Sequence, residues 1–474
     1  MIDVQGQRVL SLIARLAGAV DADAIRAMHP DVSDLTVCRP SGEAVRILQM
    51  PDLVDGQRLQ SEIVRPLASA ATPLRVLWPQ ARRVHSLDGA DLQLLDGAVL
   101  ICAAGNVRAV SLLSVPGRSV EEPSTERAVF GPKDALVESL RDNIALIRRH
   151  LRDPRLVAKR LTIGQDAPTD VAVLYRDGAA NPDQVDELVA RLMRHRPPRL
   201  GFVSSLLRPL FGAIWTVFVP ADFTERPYRA ADFLFRGRFV ILVDGSPYAM
   251  LFPVPFIEYF VDEEEYVQST ATRYFVRTLR LLAFFIALLG PGLYVAILTV
   301  NTSVLPGLLA VAVASNRQSI AFPILTETIL MLVILDIMAE ATTAMKGVLG
   351  PAISIVGSLI IGQAAVRANL ASNLGVILLA LTALATFITP RYLLTYAVRV
   401  WKYIFLLLGG LLGIPGWSAG IVWLLIDLSG QRELGTSYLT PLAPLLPRAW
   451  DSTPPLQAKK SPVPPYLRRR PRAR

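Results

Sequence analysis

The run Leu281-Leu-Ala-Phe-Phe-Ile-Ala-Leu-Leu-Gly-Pro-Gly-Leu-Tyr-Val-Ala-Ile-Leu-Thr-Val300 decides the fold class. It carries no charged side chain across about twenty residues, the length a helix needs to cross a bilayer. Arg273, Arg277 and Arg280 stand just before it, the bias expected when the N-terminal side faces the cytoplasm. Pro291 within the run predicts a kink.

The same apolar character continues to residue 428 with few interruptions. The charges in 278–428 are Arg280, Arg317, Glu327, Asp336, Glu340, Lys346, Arg367, Arg391, Arg399, Lys402 and Asp427. Five segments approach or reach spanning length: 281–300, 320–340, 347–366, 373–390 and 403–427. Leu305 to Ala314 is apolar but too short to cross, and reads as re-entrant. Arg391, Arg399 and Lys402 form the next basic cluster, on the cytoplasmic side after four crossings. A basic C-terminal tail on that same side demands an even number of crossings. Either 403–427 is a hairpin broken near Gly413 to Gly416, or a further crossing lies at 305–316.

Composition agrees with a split molecule. Of 474 residues, 52% are apolar and 19% charged, whereas a water-soluble domain carries about a quarter charged residues. One large soluble enzyme is thereby excluded. The formal charge is +9, and Leu445 to Arg474 alone supplies eight Lys/Arg against Asp451. The high isoelectric point therefore reports a tail and gives no nucleic-acid-binding face. Residues 429–474 are Pro-rich and basic, a tail suited to anionic lipid headgroups or to solubility. Cys38 and Cys102 stand alone, and the four histidines are far apart, so no disulfide scaffold or metal motif is present. No nucleotide-binding motif appears, and no cofactor is expected.

Residues 1–275 alternate charges, turns and short apolar runs. Ala98 to Cys102, Val171 to Tyr175 and Phe239 to Val243 read as strands, and Asp244-Gly245 closes a hairpin with Tyr248 to Phe252. Leu136 to Leu151 and Pro182 to His195 read as amphipathic helices. A looser stretch, Val115 to Ser124, divides this part in two. The strand–turn form Gly97 to Asn106 recurs at Gly237 to Gly245, a hint of two related modules. The expected architecture is an α+β cytoplasmic N-terminal head of two subdomains, 1–120 and 125–265. An all-α polytopic membrane domain follows at 275–428, and a tail at 429–474.

Acids within a membrane span are costly unless they meet water or a partner. Asp336 and Glu340 share a helix face, and Glu327 lies about half a turn round from Asp336. Glu327 and Asp336 are candidates for a polar path, and Glu340 for an interface. In the third span Gly350, Ser354, Ser358 and Gly362 recur every four residues, with Gln363 beside them. Such a stripe serves close helix packing or the wall of a water-filled pore. Gly416-Trp-Ser-Ala-Gly420 has a hydrolase-like spacing, but in an apolar segment with no histidine after His195 it reads as small-residue packing.

These residues together resemble the GerA family, the A subunits of spore germination receptors. The resemblance rests on Gly131-Pro132 with Val137-Glu-Ser-Leu-Arg-Asp-Asn-Ile-Ala-Leu-Ile-Arg-Arg149, Thr224-Glu-Arg-Pro227, and Val243-Asp-Gly-Ser-Pro247. It continues through Pro291-Gly-Leu-Tyr-Val-Ala296, Phe322-Pro323 with Glu327, Ser354-Ile-Val-Gly-Ser-Leu-Ile-Ile-Gly-Gln-Ala-Ala-Val366 and Gly435-Thr-Ser-Tyr-Leu-Thr-Pro-Leu-Ala-Pro444. The chain departs from the family pattern at Tyr228, Leu332 and Ala339-Glu-Ala-Thr342, departures expected of a divergent branch such as the SpoVAF-like relatives, so that receptor A subunit and SpoVAF-like relative both stay open.

The resemblance implies a multi-pass protein of the spore inner membrane. It implies assembly with a transporter-like B subunit and a lipoprotein C subunit, and a homo-oligomer that forms or gates an ion-release channel. Under it Arg141, Arg148, Arg149, Glu225, Arg226, Asp244 and Gly245 are structural motif residues, with no catalytic role. Ser354, Ser358, Gly362, Gln363, Glu327 and Asp336 are the candidates for the ion path. A non-conducting scaffold subunit and a secondary transporter remain alternatives. The membrane part shows no inverted repeat to favour the transporter.

Overall fold

The computed structural model describes residues 22–29, 31–40, 44–69, 81–103, 106–113, 123, 126, 131–194, 197–211, 217–262, 269–344, 357, 360–388, 391–440 and 442–443. The first sheet comprises β1 (Ser33–Cys38), β2 (Ala44–Gln49), β3 (Arg82–Val84), β4 (Ala98–Ala103) and β5 (Asn106–Ser111), in the order β1-β2-β4-β5-β3. The second comprises β6 (Leu156–Ile163), β7 (Thr169–Arg176), β8 (Asp222–Thr224), β9 (Phe239–Val243) and β10 (Ala249–Phe252), in the order β6-β7-β9-β10-β8. Every pairing in both sheets is antiparallel. Counted from its own first strand, each sheet has the same order. The helices also correspond: α1 (Ala22–Met28) and α3 (Leu140–His150) precede the sheets, and α2 (Leu87–Leu95) and α5 (Pro227–Phe235) precede the closing hairpins. The repeated form seen in sequence is thus a repeated topology. Gly97 and Gly237 end α2 and α5 at φ of 73° and 81°, a conformation that only glycine adopts without strain.

Alternation along the strands gives each sheet two buried faces. Val240 and Leu242 face α3 and α5, while Phe239, Ile241 and Val243 face α4 (Pro182–Arg194). The helix expected over Leu136 to Leu151 begins only at Leu140. Ser139 caps it by accepting a bond from the Asp142 amide, and Leu136 lies before the helix, its amide donating to the Glu225 carbonyl. Ile144 and Ile147 of α3 pack on the second sheet, while Ala145 reaches the core of the first. This helix is the wedge that joins the two subdomains.

The C-terminal region is helical: α6 (Thr270–Thr299), α7 (Gly307–Arg317), α8 (Ile324–Ala344), α9 (Asn373–Phe387) and α10 (Tyr392–Gly430). Among the described residues, two helical stretches are long and apolar enough to cross a membrane, Thr270–Thr299 and Leu393–Gly430. The second doubles back. Gly413 sits at φ 69° and ψ −152°, outside helical geometry, and the rings of Trp401 and Trp423 lie 5.4 Å apart across the bend. In a straight helix those two residues would be about 33 Å apart. The break expected near Gly413 to Gly416 is thus present as a bend between two helical legs. Gly416 and Gly420 face Leu408 and Phe405 of the other leg, where a side chain would collide, so Gly416-Trp-Ser-Ala-Gly420 is a packing surface. Close approach also joins α6 to α10. A Cβ on Gly292 would stand 2.7 Å from the Phe405 carbonyl oxygen.

One continuous apolar core runs from the second sheet into the helices. It includes Val240, Leu242, Phe256, Tyr259 and Phe260 of the head with Phe284, Leu288, Trp401 and Phe405 of α6 and α10. After α10 the chain returns to the head as a small hairpin of β11 (Arg432–Glu433) and β12 (Thr436–Ser437). Residues 433–438, within the span 429–474 expected to be a tail, are held against the head. Arg191 donates to Glu433 at 2.7 Å, Gln184 donates to the Leu434 carbonyl, and the Phe256 amide donates to the Tyr438 carbonyl at 2.8 Å. Most of the looser stretch 115–124, and the tail beyond 443, lie outside the described residues.

Candidate functional site

Two polar centres lie in the helical region, on opposite faces of α8 and about 13 Å apart along its axis. The first is built on Glu327, which is 2% exposed. Its Oε2 accepts from Arg317 Nη1 at 2.7 Å, and its Oε1 accepts from the Ser372 amide at 2.6 Å and the Ser372 hydroxyl at 2.8 Å. Arg317 closes α7, Glu327 opens α8, and Ser372 caps α9. Three helix ends are thus gathered on one carboxylate. Gly375 makes room for it: a Cβ there would stand 2.7 Å from Glu327 Oε1.

The second centre is built on Asp336. Its Oδ1 accepts from Lys402 Nζ at 2.7 Å and its Oδ2 from the Tyr403 hydroxyl at 2.6 Å. Lys402 is 2% exposed, so the ammonium is desolvated and held by this carboxylate. One turn further along α8, exposed Glu340 accepts from Arg399 Nη1 at 3.0 Å. Both centres join α8 to neighbouring helices by charge. Among the described residues, no group of three or more His, Cys, Asp or Glu is placed to hold a metal ion.

Of the other sequence candidates, Gly362 is half-buried beside Val376 of α9, and Gln363 is exposed. Ser354 and Ser358 lie outside the described residues, as does Gly350. Sequence reasoning did not find the partners Arg317, Ser372, Lys402 and Tyr403. The available signal was the two bases within apolar stretches, each of which needs a counter-charge.

The motif residues of the head are brought together around α3 and β8. Arg141 donates to the Val54 carbonyl, and Arg148, 1% exposed, donates to Asp31 and to the Leu156 carbonyl. Both reach from the second subdomain into the first. Arg149 is exposed. Asp244 Oδ1 accepts from the Leu140 amide at 3.0 Å, and the Gly245 amide, at φ 81°, donates to the Glu138 carbonyl. The Asp-Gly turn therefore holds the start of α3. Glu225 and Arg226 are buried at 5% and 6% exposure; Arg226 Nε donates to the Glu126 carbonyl at 2.9 Å. Tyr228, where the chain departs from the family pattern, packs edge-on against His150, which pairs with Asp134 at 2.6 Å.

The family model described as the Bacillus/Clostridium GerA spore germination protein matches residues 25–461. The chain belongs to this family. It is 35% identical over 357 residues to spore germination protein KA of Bacillus subtilis, covering 74% of this chain and 65% of that protein. It is 33% identical to spore germination protein A1 of the same organism, covering 68% of this chain and 67% of that one. The chain thus spans about two thirds of the length of the relatives it matches. The crystal structure of the N-terminal domain of the A subunit of the Bacillus megaterium spore germinant receptor GerK3 aligns over 50% of this chain and 96% of that domain, at 22% identity and a TM-score of 0.37. As a family member with membrane-length apolar helices, this chain is a membrane-associated protein of the GerA spore germination family.

Proposed function

We propose that this chain is the membrane subunit of a spore germinant receptor, and that it oligomerises to form or gate an ion-release channel. On this reading it responds to nutrients sensed with a transporter-like B subunit and a lipoprotein C subunit. The observation that carries the proposal is the family match across head and helices alike. The core shared by the second sheet, α6 and α10 supports it, since a signal sensed outside the helices has a packed route into them.

The proposed topology has six crossings: α6, α8, the segment through 357–367, α9 and the two legs of α10. Arg391 and the hairpin 432–437 touch the head, whereas Asn301 meets Ile414, Ala321 meets Asn369 and Glu327 meets Ser372 at other helix ends. Head and tail then share the cytoplasmic side. The proposed ion path follows Ser354, Ser358 and Gly362, with Glu327 and Asp336 close to it.

A non-conducting scaffold is the second reading. It draws on the pairing of Glu327 with Arg317 and of Asp336 with Lys402. Purified protein in planar bilayers separates the two. Ion current from this chain alone supports the channel; silence, with current only after partner subunits are added, supports the scaffold. The membrane levels of Ser358→Asp and Ser358→Leu test the path itself. A wet wall tolerates the aspartate, while loss of both variants places Ser358 in a dry seam.

A further inference from the structure

Where the helical domain meets the head, four charges alternate in a closed ring. Arg391, in the connection between α9 and α10, donates from Nη1 to Glu126 Oε1 at 3.2 Å and places Nε 3.6 Å from Asp222 Oδ2. Arg229 of α5 completes the circle, donating to Glu126 Oε1 at 2.8 Å and to Asp222 of β8. The side chains are 5–20% exposed, so the ring is largely removed from water. Arg391 Nη2 also donates to the Val261 carbonyl at 3.3 Å, just before the chain enters α6.

The ring continues into the head. Phe233 of α5 carries the Arg229 guanidinium 6.0 Å from its ring centre and that of Arg238 at 4.8 Å. Arg238 and Arg236 then pair with Glu258, and Arg236 with Asp232 at 2.6 Å. Four arginines and four carboxylates balance. Seven lie within 125–265, the expected second subdomain, and one, Arg391, belongs to the helices. Hydrophobic contact alone would hold the two parts together, as it does between Phe260 and Phe284. A buried ionic network adds little net stability over apolar packing but fixes one relative placement, because any displacement leaves charges uncompensated.

We infer that Arg391 is the coupling residue between head and membrane helices. Through the ring it makes the position of the α9–α10 connection depend on β8 and α5, so that a shift of the second subdomain moves both helices that flank Arg391. This inference rests on the receptor reading above. It concerns a positioning residue and requires no contact with nutrient or ion.

The test uses spores carrying the full chain as their A-type subunit, rich nutrient broth as the probe, and a potassium-selective electrode. Membrane levels of each variant are measured in parallel. Arg391→Gln is expected to remain in the membrane and to slow ion release about tenfold or more, within the usual range of coupling between sites. Arg391→Lys should recover part of the response, since the charge is kept. The double variant Arg391→Gln with Glu126→Gln restores neutrality. It should raise protein level where the single variant lowers it, yet leave the response slow. A double variant that regains both level and response would overturn the inference, since the ring would then be a support alone. Full response in Arg391→Gln would overturn it as well. Broth-insensitive spores carrying the unmodified chain would instead overturn the receptor reading, and this inference with it.

Discussion

The head and the helical domain both bury carboxylates beside bases, but they arrange them differently. In the head, charges run in contiguous chains, as from Asp222 through Arg229 and Arg238 to Glu258, and several partners share each charge. In the helices, Glu327 and Asp336 each stand at a separate centre, with a basic partner drawn from another helix. The difference follows from the surroundings. When one member of such a network is lost its neighbours still keep a second opposite charge, as Glu126 and Asp222 would keep Arg229 without Arg391. Among the described residues, the Glu327–Arg317 pair has no second base beside it, whereas Asp336 has Arg399 3.9 Å away as well as Lys402. Loss of one member should therefore be more damaging at Glu327 than in the head.

The largest effect is expected at Glu327. Replacing it by Ala leaves Arg317 uncompensated and frees the Ser372 donors, at a cost of about 3–5 kcal/mol. The measurement is the thermal midpoint of the full chain in detergent, with membrane level beside it. Removing both charges, as Arg317→Leu with Glu327→Leu, should cost less than Glu327→Ala alone. A midpoint unchanged by Glu327→Ala would erase the contrast between the two regions. Lys402→Met comes next, since Asp336 keeps the Tyr403 hydroxyl and is partly exposed; a loss of about 1.5–3 kcal/mol is expected.

A smaller, pH-dependent effect belongs to Glu258 in the head. Burial pushes its carboxyl up, but Arg238 and Arg236 more than offset this and hold it below its ordinary value near 4.5. With a folded value below the unfolded one, its stabilising contribution is complete above the ordinary value and is lost as pH falls through the depressed one. Melting curves of wild type and Glu258→Gln between pH 7 and pH 3 should converge toward the acid end. Parallel curves would mean that the carboxyl does not carry this dependence. At the small end, Arg58 and Glu62 pair across one turn of an exposed helical segment at 2.7 Å. Arg58→Ala should leave the melting curve unchanged within error.

The sequence was most legible where function or packing is local. The Asp244-Gly245 turn, the strand Phe239–Val243 and the helix from Pro182 could be read because their signals lie within a few residues. The start of α3 was missed because Ser139 and Asp244 together set it, and Asp244 is supplied from about a hundred residues away. The bend at Gly413 was legible only as one of two ways to settle parity. The partner of each membrane acid was not legible at all. Arg317 lies ten residues before Glu327 across a turn, and Lys402 lies 66 residues after Asp336. Periodicity shows which face of a helix a charge occupies, but not which helix answers it.

The proposed topology rests on the doubling back of α10, which returns residues 431–440 to the head. Single cysteines at Gln60 in the head, Arg432 in the hairpin and Ser303 at the far end of the helices test it directly. They are placed in a chain with Cys38→Ser and Cys102→Ala. A membrane-impermeant maleimide applied to intact cells should label Ser303→Cys and leave both Gln60→Cys and Arg432→Cys protected until the cells are lysed. Labelling of Arg432→Cys in intact cells while Gln60→Cys stays protected would put head and hairpin on opposite sides and contradict an even number of crossings.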